Sequence, residues 1–394
     1  MNFMQELNSI AAMPHGPART AASESVVRRV EAEGARDVLA WALLELVSAY
    51  VHDSRSDQAF VVFSKALRLW DESPELFDDR DTYVLFWQYK WIADALADYP
   101  QISRAQGEAF LDDMERRFVL QGRGLSAVVV SRFNWVRRVG DRDADDWWRT
   151  WITTPQDLFS DCKACTIGSQ VDFLVAEQRY DEALELGRTQ QFTCSVEPAG
   201  THFNLAYAAL MAGLPCDAVI HYRRALATYN GDPGELVINL GRSVEMLGRG
   251  GHVEMALHAL RNDYVTLLTD AGNPRAQMGF WLGVLAALST NMDHGGLPTG
   301  LAGVGQGTVA ELHGWVLSRL RPLVARFDSR NMNSYYSERV EWALAASRSP
   351  ELLDFSVRID DGDTAPSTSH VSDVSGPDAG ADGDHDARSD GREG

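Results

Sequence analysis

An all-α fold assembled from antiparallel helix pairs is what this sequence predicts, and three observations predict it. Apolar and small residues recur at steps of three and four through most of the 394 residues and stop at glycine, proline or asparagine, the pattern of amphipathic helices separated by turns. Near the middle the pattern itself repeats, because Phe203-Asn204-Leu205 returns as Ile238-Asn239-Leu240 after 238 − 203 = 35 positions. Strand signals are nearly absent: the best β-branched run, Val128 to Val130, lies inside the helical stretch LSAVVVSRFNWVRR.

Taken in order, residues 1–22 read as a flexible N-terminal arm, and 23–155 as an N-terminal helical region. Helices are expected at 24–33, 35–52 and 56–71, with Pro74 ending the first pair; Leu46 and Tyr50 before Ala59, Phe63 and Ala66 form one degenerate repeat. An aromatic helix over 79–98 carries Tyr83, Phe86, Trp87, Tyr89 and Trp91 and stops at Pro100. Helices over 103–120 and 125–139 follow, separated by Gly122 and Gly124. The segment 143–153 opens on aspartates that suit a helix N-terminus and offers Trp147, Trp148 and Trp151, read as packing residues rather than a ligand platform.

Repeated pairs occupy 156–270. The clearest begins with Phe203, Leu205, Ala206, Ala209 and Leu210, turns at Gly213 and Pro215, and returns through Ala218, Tyr222, Ala225 and Leu226 to Pro233. Small residues at Ala206, Ala218 and Ala225 allow close approach, while Phe203, Tyr222 and Leu226 are expected to fill the space between. Such a pair cannot bury its own apolar face, so a neighbour must stack on it. C-terminal helices are expected over 271–350, near 274–292, 308–327 and 332–347, with a glycine-rich loop at 295–307. That loop lacks a Gly-Lys-Ser/Thr ending and a preceding strand, so it reads as a connector; Thr308 and Glu311 form a capping box for the next helix. Residues 360–394 hold ten acidic side chains against Arg388 and Arg392, too little apolar surface to offset ordering, and read as a disordered acidic tail.

The run Phe203-Asn204-Leu205-Ala206, Gly213, Ala218, Tyr222, Ala225 and Pro233 resembles the tetratricopeptide repeat, a helix-turn-helix of about 34 residues. Weaker copies flank it, at Ile238 to Gly248 downstream and Tyr180 to Ala183 upstream. The stretch from about 161 to 262 also resembles a group of bacterial tetratricopeptide-repeat proteins in which Asp-Cys-x-Ala-Cys precedes one repeat and Thr-Cys, here Thr193-Cys194, precedes the next helix. The resemblance implies a helix-pair solenoid that binds a protein segment in a groove lined by the first helix of each pair. Carried over residue by residue, that groove is Asp172 and Val175, then Phe203, Tyr207 and Leu210, then Ile238, Arg242 and Glu245.

The net charge of −20 argues against nucleic acid and against anionic membranes, since both demand a basic surface. No secretory signal is visible at the start, and the longest apolar run, residues 278–289, is too short to span a bilayer. A cytoplasmic protein with reduced cysteines is therefore expected.

One arrangement carries chemistry. Cys162-Lys163-Ala164-Cys165 places two thiols in the first turn of a helix, where the helix dipole favours thiolate and a spacing of three puts both sulfurs on one face. Zinc needs further ligands, and Cys194 and His202 are the nearest candidates. A redox dithiol and plain structural cysteines remain open alternatives. No catalytic signature of the hydrolase, metalloprotease, nucleotide-binding or dinucleotide-binding kind is present. The leading expectation is a non-catalytic adaptor for a protein segment, a basic one given the acidic body. The alternatives are a zinc- or thiol-responsive regulator built on Cys162, Cys165 and Cys194, and an enzyme with its ligand domain near 24–155 and the repeats as a docking arm.

Overall fold

The computed structural model describes residues 2–301 and 307–356. Among them the regular elements are all helical, with a single isolated antiparallel bridge between Pro298 and Thr308. The acidic tail and positions 302–306 of the glycine-rich loop lie outside the described residues. The chain divides into two compact units, one from the start to Ile92 and one from Ala93 onward.

The first unit holds α1 (Phe3–Ala11), α2 (Pro17–Glu33), α3 (Arg36–His52), α4 (Ser56–Glu72) and most of α5 (Asp79–Ala95). Most of the stretch expected as an arm, residues 3–11 and 17–22, is therefore helix with a buried face. Asn2 caps α1 by accepting from the Met4 amide at 2.7 Å, and Leu7, Ile10 and Ala11, spaced three and one, turn a buried face inward. The start of α2 is fixed by Arg19, whose guanidinium donates to both carboxylate oxygens of the buried Glu45 at 2.7 and 3.1 Å and to the Met13 carbonyl at 3.0 Å. A planar fork on a carboxylate satisfies both charges inside a low-dielectric core, which no count of apolar residues reveals.

The second unit runs through α6 (Arg104–Gln121), α7 (Leu125–Val139), α8 (Ala144–Thr153), α9 (Lys163–Ala176), α10 (Tyr180–Gly187), α11 (Ala199–Met211) and α12 (Pro215–Thr228). It continues with α13 (Val237–Arg249), α14 (Val253–Asn262), α15 (Pro274–Ser289), α16 (Val309–Asn331) and α17 (Tyr335–Leu344). Helices α9 with α10, α11 with α12, and α13 with α14 pack as hairpins, and α9, α11, α13 and α15 pack successively against one another. Turns lie where glycine is required: Gly213 and Gly251 hold φ of 76° and 86°, the left-handed region that β-carbon sterics disfavour.

Between α13 and α15 the approach is closest. A β-carbon on Gly283 would lie 2.2 Å from the Gly241 carbonyl oxygen, and one on Gly248 would lie 2.7 Å from the Ala287 α-carbon. Two helices meeting backbone to backbone need these glycines. The tryptophans behave as packing residues: Trp151 lies tilted 5.0 Å from Phe133, Trp148 tilted 5.8 Å from Phe173, and Phe133 meets Phe173 edge-on. Leu226 departs from expectation and is exposed, because Ala225, Tyr222 and Ala218 already complete the inward face of α12.

Candidate metal centre

Cys162 is the N-cap of α9, and its sulfur accepts from the Cys165 amide at 3.4 Å. One turn of helix then sets Cys165 beside it. Cys194 arrives from the segment between α10 and α11, which several contacts pin to the first turn of α9. The Gln190 amide donates to the Ala164 carbonyl and to the Thr201 hydroxyl, each at 3.0 Å, so one side chain ties loop, α9 and α11 together. The Lys163 ammonium sits 4.3 Å over the Phe192 ring. The Cys194 amide donates to the Glu197 carbonyl at 2.9 Å, closing a tight turn around the third thiol.

The result is three sulfurs within 4.8 Å of one another, Cys165 and Cys194 being 3.4 Å apart. All three cysteines are free; Cys162 is exposed and the other two are half-buried. Backbone amides point at the sulfurs, those of Ala164 and Cys165 at Cys162 and those of Val196 and Glu197 at Cys194. Amide donors converging on sulfur stabilise thiolate and are what a metal-thiolate centre needs around it.

Without an ion, three thiolates so close would repel. The Cys165 and Cys194 thiols donate toward Cys162 and pull its pKa down. That same bonding to Cys162 pushes the Cys165 and Cys194 thiols up. A bound cation removes the conflict by taking all three sulfurs as thiolates. The donor set is soft and suits zinc, copper(I) or another thiophilic ion.

His202 does not join them. Its Nδ1 lies 3.1 Å from Nδ1 of His221 on α12, and no fourth histidine, cysteine or carboxylate among the described residues reaches the cluster. The first turn of α11 turns His202 toward its own hairpin partner rather than back toward α9. Cys216 is exposed at the start of α12 and stands apart.

Sequence reasoning missed Glu197. Its carboxylate is buried beside the centre, accepts from the Thr201 amide and hydroxyl at 2.8 Å each, and is pushed up to about 7 by that burial. The cradle is made of glycine: a β-carbon on Gly168, one turn beyond Cys165, would fall 1.8 Å from Glu197 Oε1. Gly168 and Gly200 carried no signal of this in the sequence, since each sits inside a helix without a turn to explain it.

Of the eight positions drawn from the resemblance as a groove, five are buried and three partly so. Val175, Phe203, Tyr207, Leu210 and Glu245 are buried, and Ile238 is half-buried against Gly279 of α15. The Tyr207 hydroxyl donates to Glu245 at 3.2 Å, and Arg249 Nε donates to the same carboxylate oxygen at 2.7 Å. Asp172 is bridged by Arg137 of α7 at 2.8 Å and by Arg242 of α13, and Arg242 also donates to Asn204 at 2.6 Å. Crowding opposes the charge on Asp172, yet the two guanidinium groups prevail and hold its carboxyl well below the usual carboxylate range. Asp172, Ile238 and Arg242 keep part of their surface open, while the other five are covered by the packing of the helices.

Compared with known proteins, the chain matches no family model, no curated protein and no solved structure. No helix among the described residues is long and apolar enough to cross a membrane.

Proposed function

We propose that this protein is a thiophilic-metal-responsive regulator, in which an all-helical scaffold takes one metal ion on Cys162, Cys165 and Cys194. The supporting observation is the meeting of three cysteine sulfurs within 4.8 Å from two separate segments. The ion joins the start of α9 to the segment that leads into α11. It therefore fixes a junction between successive helix pairs, and metal supply becomes a change in the order of that junction. Zinc is the reference ion for the test. Reduced, metal-free protein given zinc and then desalted should retain about one equivalent by elemental analysis. Failure of zinc and of every other thiophilic ion tried to be retained, or equal retention after Cys165→Ser and Cys194→Ser together, removes the proposal.

A docking role survives as a second reading, moved to a different place. Glu235, on the short turn before α13, is exposed and has no ion pair among the described residues, in a neighbourhood where Asp94 is paired with Arg138 and Asp98 with Arg275. Loss of water around its carboxyl and the like charges of Asp94, Asp161 and Asp98 push it up, and Arg138 draws it partly back. A cationic side chain of a partner segment relieves that repulsion. Glu235→Gln should weaken capture of an arginine-rich peptide by about 10-fold, and unchanged capture by fluorescence anisotropy would dismiss this reading.

A further inference from the structure

The reading above leaves open which ion the centre is built for, and the inference drawn here rests on it. We infer that the centre is a three-coordinate site for a trivalent thiophilic metalloid of the arsenite class, held by Cys162, Cys165 and Cys194 together.

Coordination number is the first argument. Structural zinc sites are closed by four protein ligands, whereas the group whose ligand atoms lie within 4.8 Å of one another is three sulfurs, and the neighbouring Glu197 carboxylate is held by the Thr201 amide and hydroxyl instead. The residue best placed in sequence to be fourth, His202, is engaged with His221 instead. Trivalent arsenic forms three bonds in a pyramid and points a lone pair at the remaining side. The exposed flank of Cys162 gives that side to solvent.

Spacing agrees. Tetrahedral zinc with bonds of about 2.3 Å holds its sulfurs about 3.8 Å apart. Cys165 and Cys194 stand 3.4 Å apart, closer than that. A metalloid whose bonds lie nearer to right angles draws sulfurs together in this way. Copper(I) also accepts three thiolates, but it spreads them in a plane and so holds them farther apart than a pyramidal centre does.

Charge is the third argument. Three thiolates with a divalent ion keep one negative charge, beside a buried Glu197 and within a chain of net charge −20. A trivalent centre is neutral. Its formation is a ligand exchange with no change of oxidation state: As(OH)3 and three Cys thiols give As(S-Cys)3 and three water molecules. Three arsenic–oxygen and three S–H bonds break, three arsenic–sulfur bonds form, and each departing hydroxide leaves with a thiol proton.

The test uses the reduced full chain, sodium arsenite and zinc chloride, with Cys216→Ser as the control variant. X-ray absorption on the arsenite complex should give three sulfur neighbours and one arsenic per chain. Cys162→Ser, Cys165→Ser and Cys194→Ser should each weaken arsenite by at least about 10-fold, the worth of a lost ligand contact. Cys216→Ser should leave it unchanged, with circular dichroism confirming that all variants are folded. Arsenite present in equal excess should suppress zinc uptake. Two sulfur neighbours, or a single Cys→Ser variant that binds as tightly as the parent, overturns the three-sulfur assignment. Zinc bound at one equivalent and undisturbed by arsenite overturns it while leaving the metal-responsive reading intact. Failure of both ions to bind brings down that reading as well.

Discussion

Single side chains in this protein do most of their work through what they face across a helix hairpin, and His202 shows it. Burial together with the neighbouring His221 lowers its pKa to about 3, and burial lowers that of His221 to about 4. Folded-state values below the ordinary histidine value of about 6.5 mean that the unfolded chain binds protons first as pH falls. The stability these neutral rings contribute is complete above about pH 6.5 and is lost as pH drops toward 4, at up to about 1.4 kcal/mol per pH unit for each proton. Urea melts at pH 7.0, 6.0 and 5.0 should show this loss. His202→Asn with His221→Asn should flatten it; an unchanged slope would mean the pair does not carry the acid sensitivity. Asp172 works in the opposite sense. Its depressed pKa keeps it charged far into acid, so its contribution is present above the ordinary carboxylate range and fades only at very low pH. Asp172→Asn leaves Arg137 and Arg242 facing each other without a counter-charge. We expect a loss of about 2–3 kcal/mol at pH 7, read as a lower urea midpoint with an unchanged m-value.

Elements explain which parts of the molecule could be read from sequence. Period and punctuation placed nearly every helix, because Pro100, Gly122, Gly140, Gly213 and Pro274 each stand where a helix must end or begin. The three cysteines were legible for the same reason: helix starts of successive pairs lie side by side, so Cys162 and Cys194 had to be near neighbours. Two things were not. The fourth-ligand assignment to His202 depended on the direction of a side chain around α11, and a helical rotation of one residue changes which neighbour it meets. The groove depended on helix separation, and here glycines let α13 and α15 touch. Gly283→Ala therefore tests the packing directly. Its methyl group would meet the Gly241 carbonyl at 2.2 Å and force the helices apart. The expected cost is about 1–3 kcal/mol from overpacking, only partly offset by the better helix propensity of alanine. A melting temperature equal to that of the parent would show that the contact is looser than described.

At the scale of the whole molecule, the three-cysteine cluster belongs to one of two compact units, and that confines the influence of any ion it takes. Cys162, Cys165 and Cys194 all lie in the unit that begins at Ala93, while α1 to α4 lie in the other. An ion that binds only the folded centre stabilises by RT ln(1 + [L]/Kd), about 2.7 kcal/mol at a hundredfold excess over Kd. That free energy acts on openings that break the centre, so amides in the first turn of α9, in residues 188–198 and in the first turn of α11 should exchange more slowly when zinc or arsenite is bound. Amides of α2 and α3, held by Arg19 and Glu45 and by their own apolar core, should exchange at the same rate with and without the ion. Hydrogen–deuterium exchange followed by mass spectrometry reads both regions in one sample. Protection spread evenly over both units would mean that the ion stabilises the chain as a single cooperative body, and the local-junction account of its regulation would then be wrong.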